Sequence, residues 1–290
     1  MSIKIVPPIQ GDIAKANLAI DRLNSVDSSA DFLFMGDYYL GPQGKEVISL
    51  LHTDDFKDAS FLMGNEDKAF IQYLRSRSNY DIVNLLDYGV ESFFKQFVEY
   101  QKLENISPFS SLLVASPDIW RDFNDCLLEY FTDNFRLLGG LNAYYKNDDL
   151  QLICTHTGMT RIGLQNMNVP TYNSDNFQCF LRIYLAGVRL TVGALHDHLA
   201  KSGLLGVSFS DRVMKFNKVV NRCVAAVNHK TMICCDPSLS EMTFAPNFLE
   251  RKASYIGIPH GITNDFVGLV VNSDEIIVVA KESEKVILRK

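Results

Sequence analysis

Five short stretches of this chain put metal-ligating residue types where segments end: Gly11-Asp12, Gly36-Asp37, Gly64-Asn65, Thr155-His156-Thr157-Gly158 and Pro259-His260-Gly261. Carboxylate, amide and imidazole groups supply the oxygen and nitrogen ligands that suit Mn, Fe or Zn. The clearest case is FLFMGDYYLGPQGKEVISLL, Phe32 to Leu51, in which an apolar run stops at Gly36-Asp37. Open α/β sheets place their chemistry at the carboxyl ends of central strands. The turn that follows, Tyr38-Tyr39-Leu40-Gly41-Pro42, brings neither a second acid nor an arginine. His156, taken alone, reads better as a satisfied core histidine, and it is the company of Asp37, Asn65 and His260 that raises the ligand reading to at least equal weight.

Other candidates carry less. His196-Asp197-His198 falls in a helical pattern, where residues two apart do not share a face. Ser208-Phe209-Ser210 has no histidine or glycine elbow beside it, which argues against a serine hydrolase. His52 and His229 read as surface or partly buried residues.

The elements that must position these residues alternate between strand and helix in the opening third. Ile3 to Ile9, Asp31 to Met35 and Ser60 to Met63 read as strands, each closing on glycine followed by Asp, Asp or Asn. Lys15 to Leu23 and Lys45 to Leu51 show apolar residues at helical spacing. This order predicts successive βα units of a parallel sheet, with three polar side chains at one edge. From about 69 to 138 the pattern is helical, and its aromatic stripe (Phe93, Phe94, Phe97, Trp120, Phe123, Tyr130, Phe131) reads as core. A hairpin is expected next, Leu141 to Tyr145 and Leu150 to Thr155 about a Lys146-Asn147-Asp148-Asp149 turn. A second helical block spans Asn176 to Lys201 and Asp211 to Val227, and three strands close the chain: Ser254 to Ile258, Phe266 to Asn272 and Glu275 to Ala280. With no repeat, low-complexity tract or linker, the expectation is one domain over 1–290, with helical insertions at about 69–138 and 176–227.

Composition narrows the function classes. A net charge of −6 over 290 residues, and no lysine or arginine block, give no electrostatic reason to expect nucleic acid or an anionic membrane as partner. No apolar run reaches the roughly 18 to 20 residues of a membrane span, and nothing at the start reads as a signal peptide. Six cysteines at 126, 154, 179, 223, 234 and 235 lack C-x-x-C spacing. They read as reduced, buried thiols, and the expected location is cytoplasmic.

The ordered set of segment ends resembles the calcineurin-like metallophosphoesterases, in particular the serine/threonine protein phosphatase branch. That family runs GDxH, GDxxDRG, GNHE, HGG or HAGL, and GHT; here the stretches are GDIA (11–14), GDYYLGP (36–42), GNED (64–67), HTGM (156–159) and PHGIT (259–263). GPQGKEVISLL and WRDFNDCLLEYF also resemble the family's neighbouring text, and the likeness covers about Ile3 to Thr263. It implies an α/β fold: a metallophosphoesterase-type β-sandwich core flanked by helices, with an enlarged helical insert. It also implies one metal site made by Asp37, Asn65, His156 and His260. Of the other site only Asp12 and the shared Asp37 remain, because the GDxH histidine is Ala14 and no H-x-H follows His260. Two carboxylates hold a hydrated ion weakly.

Three departures bear on catalysis. The family's GNHE histidine is Glu66 here, the arginine that clamps phosphate is absent, and the second metal is lost. Losing a general acid alone costs about 10²- to 10⁴-fold in rate. The expectation is a degenerate, pseudophosphatase-like protein holding one divalent metal and binding a protein partner or a phosphorylated ligand. The alternative is an active single-metal phosphoesterase in which Asp12 or Glu66 assists. Glu66 itself reads as an extra ligand, as a charge that repels phosphate, or as a solvated carboxylate at a helix start beside Asp67.

Overall fold

A computed structural model of the protein describes residues 1–77, 85, 90–97, 117–133, 140–142, 144–156, 231–236, 242–245 and 254–289. The described elements run β1 (Ser2–Val6), α1 (Ile13–Val26), β2 (Asp31–Phe34), α2 (Gly44–Leu51), β3 (Ser60–Phe61), α3 (Asn65–Ser76), α4 (Val90–Phe94) and α5 (Pro117–Asp133). Strands β4 (Tyr145–Asn147), β5 (Leu152–Thr155), β6 (Thr231–Asp236), β7 (Thr243–Ala245), β8 (Ser254–Pro259), β9 (Gly268–Asn272), β10 (Glu275–Val279) and β11 (Glu284–Arg289) follow. The fold is mixed α/β, as expected. Two compact units divide the chain, one of Ser2–Leu141 with Gly261–Lys290, the other of Met1 with Asn142–His260.

The first unit holds a six-stranded sheet in the order β11-β10-β9-β1-β2-β3. β1, β2 and β3 are parallel, and Val6 lies opposite Phe34, so the ends of β1 and β2 are level. The remaining strands form an antiparallel meander on β1. Helix α1 begins where Asp12 accepts a hydrogen bond from the Lys15 N–H at 3.0 Å, an N-cap that satisfies one of the orphan donors of the first turn. Its buried Ala16, Ala19 and Leu23 lie at helical spacing, the stripe that the sequence predicts.

The core of this unit is aromatic. Phe34 stacks on Phe61 at 5.2 Å, and Phe70 meets Tyr39 at 5.1 Å and Phe131 at 5.0 Å. Phe93, Phe94, Phe123 and Phe131 are buried in it, as expected of the stripe. Offset and edge-on aromatic pairs add about 0.5–1.5 kcal/mol each beyond the area they bury.

The second unit holds a five-stranded sheet in the order β4-β5-β6-β8-β7, with β5, β6 and β8 parallel. The hairpin forms, but its arms are shorter than predicted: β4 is Tyr145–Asn147 and the turn falls at residues 148–151. Asn147 explains the shift, since its side chain accepts from the Leu150 N–H at 2.9 Å and closes the loop two residues later. Strands β6, β7 and β11 went unpredicted, β6 because its run is short and set among polar residues. The predicted helices at 176–201 and 211–227 lie outside the described residues, as do His196, His198, Ser208, Ser210, His229, Cys179 and Cys223. Cys154, Cys234 and Cys235 are free and buried, but Cys126 is free and exposed, against the expectation of uniformly buried thiols. No described helix is long and apolar enough to cross a membrane.

Two loops of the first unit are zipped together where β1 and β2 end. Gln10 N–H donates to the Asp37 carbonyl at 2.8 Å, Gly11 N–H to Tyr38 at 2.9 Å, and Gln43 N–H returns to Gly11 at 2.9 Å. Gly41 packs directly on this zipper, and a Cβ on it would collide with the Gln10 carbonyl oxygen. Gly41→Ala is therefore expected to cost about 2–4 kcal/mol, read as a lower urea midpoint at unchanged slope.

Candidate functional site

In the first unit the site is built from the ends of β1, β2 and β3. Asp37 lies directly behind β2 with no exposed surface, in a left-handed backbone conformation (φ 55°) that non-glycine residues adopt sparingly. Its Oδ1 accepts from the Glu66 N–H at 3.0 Å, so the first turn of α3 points a donor at it. Only glycine fits at position 64, because a Cβ there would collide with the Asp37 carboxylate.

Asp67 holds this turn in place. It is fully buried, and its carboxylate accepts from the N–H groups of Asp37 (2.7 Å), Gly64 (2.8 Å) and Tyr38 (3.2 Å). The bond to Gly64 is the returning half of a capping box, in which the third helical residue reaches back to the N-cap. The sequence reading gave Asp67 only a helix-dipole role. The spacing Gly64 to Asp67 was the available signal. Gln10 was missed altogether: it has a left-handed backbone (φ 56°) and its side chain hydrogen-bonds Glu66, and nothing in its type or spacing announced this.

Glu66 is not a solvated helix-start residue, which corrects that reading. It is buried, and its Oε2 has no hydrogen-bond partner among the described residues. Burial first, then the carboxylates of Asp37 and Asp67, push its carboxyl up to about 9, while Gln10 pulls it back. Asp67 is pushed up to about 7 by burial and by Asp37, against the pull of its three N–H donors. Three buried carboxyls thus crowd one turn without a described cation among them. Asp12 lies apart in role: its Oδ1 caps α1, and its Oδ2 faces Lys15 Nζ at 3.6 Å. Asn65 opens α3, and its side chain lies outside the described residues.

In the second unit, His156 follows β5 and His260 follows β8, both at carboxyl ends of parallel strands. Their ring centroids lie 5.3 Å apart with planes at 77°. His156 is buried and His260 partly so, and the His156 carbonyl accepts from the Cys235 N–H at 3.1 Å. The intervening strand β6 thereby fixes one imidazole relative to the other. Two imidazoles at this distance can both reach an ion at Zn–N bond lengths of about 2.0–2.1 Å.

Neither the protein-family models nor the curated proteins contain a match to this chain. Among solved structures, one described as "a putative diadenosine tetraphosphatase" matches 99% of this chain and 92% of its own, at 12% identity and a TM-score of 0.41. A likeness of that depth carries no argument about activity.

The carboxyl cluster makes two testable statements. Between pH 4.5 and about 9 folded Glu66 keeps a proton that the unfolded chain has released, so stability falls as pH rises through that window. Glu66→Gln should therefore stabilise the metal-free protein at pH 8 by on the order of 1–3 kcal/mol, a gain that fades towards pH 5 in denaturation curves. Asp67→Ala strands three buried N–H donors and should cost about 2–4 kcal/mol in the same assay.

Proposed function

We propose that this protein is a degenerate metallophosphoesterase-like protein that binds one divalent ion, Mn, Fe or Zn, and works by binding rather than by turnover. The ligands in this reading are Asp37, Asn65, His156 and His260, with Asp12 at most a weak contributor. The observation that carries it is the His156–His260 pair at two parallel strand ends. By the motif resemblance Asp37 would supply a carboxylate oxygen beside the imidazoles, a donor type suited to a divalent ion. The acidic character around Asp37 supports the same reading, since a cation offsets crowded buried carboxylates.

When bound, such an ion supplies a Lewis acid for phosphoryl oxygen or water. The chain's own residues lend it little further help. Ala14 cannot ligate, no arginine follows Asp37, and Glu66 stands where the family has its histidine. Tyr39, in the turn that would carry the clamp, is buried against Phe70, Phe93 and Phe131. A phosphorylated ligand or a partner protein bearing one is the occupant that this chemistry suits. The free thiols at Cys154, Cys234 and Cys235 are in keeping with a reducing, cytoplasmic setting.

One observation favours a second reading, an active single-metal phosphoesterase: the buried, unpartnered Oε2 of Glu66 could carry a proton to a leaving group. Elemental analysis after chelator-free purification with Mn and Zn supplementation, alongside an aryl phosphate assay, separates the two. The expected result is one ion per chain, lost in His156→Ala, with hydrolysis close to the buffer rate. Hydrolysis that falls at least 10²-fold in both Asp37→Asn and Glu66→Gln would establish the second reading instead. Absence of any ion would overturn both.

A further inference from the structure

A second polar site lies on the helix-covered side of the six-stranded sheet, and it shares no residue with the candidate metal ligands. A cavity of about 350 Å³ is lined by Lys4, Ile20, Asn24, Asp31, Asp55, Phe56 and Asp58, among others. That size falls within the range of about 300–1,000 Å³ typical of small-molecule sites.

Lys4 is its unusual member. It stands in mid-strand in SIKIV, where alternation sends it to the face opposite Ile3 and Ile5, and it is only 2% exposed. Its Nζ lies 4.1 Å above the Phe32 ring and donates to Asn24 Oδ1 at 2.7 Å. An ammonium has three donors, and Asn24 is its one acceptor among the described residues. Asp27 does not serve it by hydrogen bond: that carboxylate is engaged by Ser2 Oγ at 2.6 Å, by Ser29, and by the Ala30 N–H. Burial pulls the Lys4 amine down, while Asp27 and Asp31 pull it up from a distance. A buried amine with unused donors is costly unless something accepts from it.

The exposed part of the lining has the opposite character. Asp31, Asp55 and Asp58 are all exposed and all acidic. Three carboxylates against one lysine repel a purely anionic guest such as phosphate. A purely cationic guest leaves the buried donors of Lys4 unanswered.

We propose that this cavity binds a small zwitterion, whose carboxylate accepts from Lys4 and Asn24 and whose ammonium or guanidinium group lies among Asp31, Asp55 and Asp58. The aliphatic body of the guest packs against Ile20 and Phe56.

Isothermal titration of the 290-residue protein with L-arginine, L-lysine and 5-aminovalerate tests this, with succinate and putrescine as controls that carry charge of one sign only. At least one zwitterion should saturate, and both controls should bind at least tenfold more weakly. Lys4→Met, close to the native shape, and the exposed Asp55→Asn should each weaken the zwitterion at least tenfold while far-UV circular dichroism stays unchanged. Should Lys4→Met fail to fold, Asp55→Asn and the succinate and putrescine controls decide alone. Saturation by none of the zwitterions, equal binding of putrescine, or zwitterion binding indifferent to Asp55→Asn would overturn the proposal.

Discussion

The carboxylate of Asp67 is the interaction on which the first unit's functional edge depends. Asp37 sits in a left-handed backbone conformation, and its own N–H and that of Tyr38 point away from any strand partner. A buried N–H without an acceptor costs about 1–3 kcal/mol. Asp67 answers both, and the Gly64 N–H as well, from the first turn of α3. A single helix start thus fixes the end of β2, the end of β3 and the direction in which the Asp37 carboxylate points.

That solution has an electrostatic consequence. Placing Asp67 within bonding distance of the Asp37 backbone also brings a third carboxyl, Glu66, into the same dry space. Burial first, then the Asp37 carboxylate, raise the proton affinity of both Glu66 and Asp67, and Asp67 adds to the effect on Glu66. Local satisfaction of the backbone is achieved by tolerating like charges. Such tolerance, in a protein that needs only marginal stability, is a common mark of a functional site.

The turn after Asp37, which brings neither a second acid nor an arginine, has a packing counterpart. The segment after Asp37 is committed to the interior: Tyr38 donates through its hydroxyl to Leu62 at 2.5 Å, and Tyr39 joins the aromatic cluster. Gly41 then meets the Gln10–Gly11 turn so closely that no side chain fits. A long cation such as arginine has no place to originate in that stretch. This stretch is a tight structural joint between two βα loops.

Some of this was readable from the chain. Glycine followed by Asp, Asp or Asn after apolar runs located Asp12, Asp37 and Asn65 at the ends of three parallel strands, because a buried parallel strand needs a continuous apolar stretch and must then turn. The aromatic stripe over Phe93 to Phe131 followed from spacing alone. Sequence also determined which chemistries are possible at all, since donor types and the absence of Arg and His at given positions are covalent facts. Only tertiary structure decided that Glu66 is buried rather than solvated, that Gln10 bonds to it, that Asp12 spends an oxygen on capping α1, and that Lys4 is hidden beneath Asn24. Burial and proton affinity depend on what distant segments bring against a side chain, and such neighbours leave no periodicity in the local sequence.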